Sequence, residues 1–92
     1  MSEPAKRYKI QVSVKKVTKG VCPNAMKPGK SWIVDTKTPG GICMGALSSL
    51  LPYIRAMSFG GTFYFQEEPD AVQFSCPDHE RHVIFELRRL RD

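Results

Sequence analysis

The residues of this 92-residue chain best suited to chemistry are three cysteines, two histidines and an aspartate beside one of them. Cys22 lies in Gly20-Val21-Cys22-Pro23, Cys43 in Gly40-Gly41-Ile42-Cys43, and Cys76 in Ser75-Cys76-Pro77-Asp78-His79. Proline after a cysteine biases that cysteine towards extended backbone and helps open a turn. Turns can aim several side chains at one point, as a metal ion requires. Cys76 and His79 have the spacing C-x-x-H, short enough for both to reach one ion. Adding Cys22 and Cys43 makes a Cys3His set, a known tetrahedral zinc donor set. The three thiolates alone would suit an iron–sulfur cluster with one open iron. The strongest zinc signatures have two close pairs, and here there is one. Free cysteines also pack as small apolar groups, and Cys43 fits that role because it begins an apolar stripe.

A thiol enzyme is the second reading of the same residues. A cysteine at the start of a helix meets free N–H groups and the positive end of the helix dipole. Cys43 is then the candidate nucleophile, with His79 or His82 as base and Asp78 as the orienting carboxylate. No C-x-x-C redox pair is present, and an odd number of cysteines precludes a complete set of internal disulfides. Gly40-Gly41 lacks the patterns that cradle phosphate. Whether the chain is an enzyme stays open on these residues.

Charge suggests a third reading. The net charge is +5, but residues 1–40 hold nine basic and two acidic residues, a net of +7. Residues 41–92 hold five basic and seven acidic, a net of −2. A basic half can attract phosphate or an acidic protein. It is equally the composition of a solvated strand face. Nucleic-acid binding needs stacking aromatics among the cations, and here the aromatics fall on the apolar strand phase. Nucleic acid is therefore not the expected partner; a second copy or a protein partner is compatible with a small core. Met1–Lys9 is polar and precedes no apolar run, so no secretory leader is expected. No apolar stretch is long enough for a membrane span. The cytoplasm is the expected location, where thiols persist.

The elements that must position the cysteines follow from periodicity. Residues 1–7 read as a flexible tail and 8–92 as a single domain. Tyr8, Ile10, Val12 and Val14 alternate with polar residues and predict a half-buried strand. Lys15-Lys16 breaks that alternation, which predicts a bulge or the strand end. Gly20–Lys30 reads as a loop, Ser31–Asp35 as a short strand and Thr38–Gly41 as a turn. Cys43, Leu47, Leu50, Ile54 and Met57 form one helical stripe, which Pro52 should kink or split. Gly60-Gly61 supplies the helix stop. Thr62–Gln66, Ala71–Ser75 and His82–Leu87 read as strands, with Phe63, Phe65, Phe74, Val83 and Phe85 pointing inward. Ile10, Val12, Val14, Trp32, Val34, Leu47, Leu50 and Ile54 complete the expected core. The fold class expected is α+β: four or five largely antiparallel strands carrying one helix.

The motifs in combination resemble a family of small, largely uncharacterised bacterial and archaeal proteins. The resemblance rests on Gly20-Val21-Cys22, Gly41-Ile42-Cys43-Met44-Gly45-Ala46, Gly60-Gly61, Cys76-Pro77-Asp78 and Val83–Leu87, and spans roughly residues 8–90. It implies a shared cysteine site and no particular activity; His79 is not part of that signature. The leading expectation is a small metal- or iron–sulfur-binding accessory module. The alternatives are a thiol enzyme built on Cys43 and a non-enzymatic binding module with a basic N-terminal face.

Overall fold

A computed structural model describes residues 7–17, 26–66, 68–76 and 83–91 of the chain. Among these residues, four strands and one helix follow in the order β1 (Lys9–Val17), β2 (Ser31–Val34), α1 (Met44–Ser58), β3 (Ala71–Ser75) and β4 (Val83–Leu90). The strands form one antiparallel sheet in the order β2-β1-β4-β3. The chain is α+β, as its periodicities predict. The two longest strands, β1 and β4, lie in the centre. Helix α1 links the two edge strands across one face.

The alternation in β1 buries Ile10, Val12 and Val14 beneath α1. On β4 the same face carries Val83, Phe85 and Leu87. Directly paired residues share a face, so Val12 meets Leu87 and Val14 meets Phe85. Register shifts between Val14 and Lys16, leaving Lys15 as the extra residue of a bulge. Strand β1 then continues to Val17 instead of ending there. The opposite face of the sheet is largely polar, as an antiparallel sheet permits.

Helix α1 is continuous through Pro52 and buries Ala46, Leu50, Ile54 and Met57. It ends as the paired glycines predict. Gly60 adopts φ +93° and its N–H donates to the Met57 carbonyl, while the Gly61 N–H donates to the Ala56 carbonyl. This is the paired closure of a Schellman motif, for which glycine in the left-handed region has no Cβ penalty. Gly61 is there for space: a Cβ would sit 2.8 Å from the Ala56 oxygen.

One predicted strand is absent. Thr62–Gln66 is a turn, because the Gln66 side chain takes the backbone groups a ladder would use. Its Oε1 accepts from the Phe63 N–H at 2.6 Å, and its Nε2 donates to the Glu68 and Ala71 carbonyls. Phe65 is accordingly 51% exposed and does not belong to the core; Phe63 packs only partly against it. Phe63 instead meets Tyr53 of α1 and Phe74 of β3 edge-on. Trp32, Leu47 and Phe74 are also half-buried, at the margins of the core.

The last inward position of β4 is filled by a cation. Arg89 is 2% exposed and lies in phase with Val83, Phe85 and Leu87. Its guanidinium donates to the carbonyls of Met57, Gly61 and Pro69 and to Oδ1 of Asp70. The end of α1, the glycine turn and the turn before β3 are thereby joined at one point. Asp70 also accepts from Arg91 at 2.8 Å. The Arg91 hydrogen bond, opposed by burial and aided by Arg89, holds its carboxyl below the usual 3.8. A carboxylate of lowered folded pKa stabilises the protein fully above its unfolded value and loses that contribution as pH falls through the folded one. Urea midpoints should therefore fall as pH drops below about 3.8, and Asp70→Asn should flatten that slope. Equal slopes for parent and variant would show that Asp70 does not drive the acid transition.

Candidate thiolate site

Of the predicted site residues, Cys43 and Cys76 are described; Cys22, Asp78, His79 and His82 lie outside the described residues. Cys43 is delivered by the turn after β2. Gly41 has φ +98°, and a Cβ there would stand 3.1 Å from Nε1 of Trp32. Only glycine both adopts that conformation freely and lets the chain pass so close to the indole.

Cys43 is the N-cap of α1, with extended backbone (φ −65°, ψ 149°). Its carbonyl accepts the Leu47 N–H, and its Sγ accepts the Ala46 N–H at 3.4 Å. The geometry is that of a serine cap, with sulfur in place of the hydroxyl oxygen. No acidic residue occupies the first turn, so the Cys43 sulfur is the group that meets the helix N-terminus. The side chain is half-buried and packs against the core.

Cys76 follows β3 and is 8% exposed. Its N–H donates to the Val83 carbonyl, and its Sγ accepts the Val83 N–H at 3.3 Å. Residues 76 and 83 are thus clasped together at the two ends of the connection between β3 and β4. Val83 in turn pairs with Val17, the last residue of β1. From the helix side, the Ser49 hydroxyl donates to the Ser75 carbonyl. The ends of β1 and β3, the start of β4 and the first half of α1 therefore meet at one end of the sheet.

Both described cysteines are free thiols, and each sulfur already holds a backbone N–H. Such outer hydrogen bonds orient ligands at metal sites. Among the described residues, no three Cys, His, Asp or Glu side chains are grouped as a metal site. Cys43 and Cys76 are two of the four predicted donors. Cys22 follows Val17 by five positions and His79 follows Cys76 by three. At about 3.3–3.6 Å per residue, those tethers reach at most roughly 18 and 11 Å.

The sequence reading missed the cations that the tertiary structure gathers elsewhere. Arg89 could have been found from its place on the inward phase of β4. Arg7 reads from the sequence as part of the tail, yet it pairs with Asp35 at 3.3 Å. Of the basic N-terminal residues, Lys9, Lys15 and Lys16 are exposed, but neighbouring Trp32 packs against the core. Tyr8 lies under the guanidinium groups of Arg89 and Arg91. Among the described residues, no helix is long and apolar enough to cross a membrane. Comparison with known proteins yields no matching family model, no matching curated protein and no matching solved structure.

Proposed function

We propose that the chain is a small metal-binding accessory module, with Cys22, Cys43 and Cys76 as thiolate ligands and His79 as the fourth donor. Zinc suits that set; with three cysteines alone, an iron–sulfur cluster with one open iron is the other form. The observation that supports this reading is the meeting of Val17, Cys76 and Val83 at one end of the sheet, where the chain stretches that carry Cys22 and His79 begin. Val83 pairs with Val17 and is hydrogen-bonded to Cys76 there, and α1 joins that end through Ser49, six residues after Cys43. The N–H groups on both described sulfurs add support, because they orient the thiolates as an outer shell does.

The test is to purify the full chain without oxygen and measure zinc, iron and sulfide. We expect about one zinc per chain, or iron with sulfide and a brown colour. Added cobalt(II) should give the intense near-ultraviolet absorption of thiolate-to-metal charge transfer. Cys22→Ser, Cys43→Ser and Cys76→Ser should each lose the metal and that absorption while circular dichroism shows a folded chain. A metal-free protein that gives no cobalt–thiolate absorption, with all three thiols titrating freely, would overturn the proposal.

A further inference from the structure

At the opposite end of β1, a groove of about 610 Å³ separates the exit of β2 from the second half of α1. Its apolar wall comes from Val34, Leu51, Ile54 and Phe59. Val34 and Ile54 are buried at its base, whereas Phe59 remains 57% exposed. Among the described residues, its charged groups are Arg7, Lys37 and Arg55 against the carboxylate of Asp35. Asp35 is engaged by Arg7 through both its side chain and its backbone carbonyl. The guanidinium groups of Arg7 and Arg55 stand 5.7 and 6.0 Å from the centre of the Phe59 ring. Cationic groups are thus held against an apolar surface in a space of the size that small ligands occupy.

We infer that this groove binds a small organic anion, a carboxylate bearing a short alkyl or aryl group. The surplus of positive charge selects the anion. The apolar wall selects the hydrocarbon body, because burying it removes Leu51, Phe59 and the ligand from water together. Inorganic phosphate meets only the first demand and an uncharged alcohol only the second. A guanidinium forms paired, charge-assisted hydrogen bonds with a carboxylate, and Arg55, an exposed residue of the groove lining, can supply them. The inference is independent of the metal reading, since neither Cys43 nor Cys76 lines the groove.

The experiment is an amide NMR titration of the full chain with octanoate, octanol and inorganic phosphate. Octanoate should give saturable shifts at residues 34–38 and 51–59. Octanol and phosphate should bind at least about tenfold more weakly, the scale of a lost charge-assisted contact. Arg55→Gln and Lys37→Gln should each weaken octanoate by about tenfold. Both side chains are exposed, so the variants should keep dispersed, native-like spectra. Three results would each overturn the inference: octanol binding as tightly as octanoate, octanoate binding unchanged in both variants, or a poly-glutamate peptide occupying the groove when octanoate does not.

Discussion

Replacing Arg89 with methionine should remove about 3–5 kcal/mol of stability, the scale of stripping one partner from a buried charged network. Methionine keeps a long unbranched side chain and removes every donor. The carbonyls of Gly61 and Pro69 then lose the cation they face, and the carboxylate of Asp70 is left with Arg91 alone. The Met57 carbonyl keeps the Gly60 N–H but loses Nη1. A domain of this size has about 5–15 kcal/mol in total, so the variant should be close to unfolding at ambient temperature. Arg89→Lys should recover only part of the loss. Its compact ammonium restores the charge but cannot present the flat fork that reaches four oxygens on three segments. Urea denaturation of the three proteins measures both differences. A methionine variant as stable as the parent would mean that water satisfies those oxygens and that the network adds nothing.

Phe85→Ala is expected to cost a similar amount, about 3–5 kcal/mol, for a different reason. Phe85 is fully buried at the centre of the sheet, paired with Val14 on one side and Phe74 on the other. Truncation leaves a cavity that the neighbouring strands cannot close without breaking register. Tyr64→Ala is the matched control. That ring is fully exposed, and its loss should change stability by no more than about 0.5 kcal/mol. If the two variants unfold at the same urea concentration, the assignment of the core is wrong.

These two variants mark where local sequence is informative and where it is not. Period-two alternation identifies β1, because a strand with one buried face has no other register available; the doubled lysine marks a break in it that fits either a bulge or the strand end, and the pairing with β4 makes it a bulge. The stripe from Cys43 to Met57 identifies α1, and Gly60-Gly61 its end. Thr62–Gln66 carries an equally good alternation and is nevertheless a turn. Nothing within those five residues reveals that the Gln66 amide will reach the Phe63 and Ala71 backbones, or that Arg89 will hold the Gly61 carbonyl. An aromatic strand and an aromatic turn on the margin of a core share one local pattern.

The cysteines divide in the same way. Their turn and helix-start contexts are legible residue by residue, and Cys43 does cap α1. That Cys76 is clasped to Val83, opposite the end of β1, depends on pairing between segments far apart in the chain. The cationic groove is still less legible, since Arg7, Lys37 and Arg55 belong to three separate segments. The sequence by itself determined the types of the four strands and the helix that do form, the helix stop and the buried faces of β1 and β4, because each follows from sterics and periodicity over a few residues. Only the tertiary structure decided which strand ends meet, which arginine is buried and which cations share a groove. Those outcomes depend on long-range strand register and on hydrogen bonds whose partners lie tens of residues away.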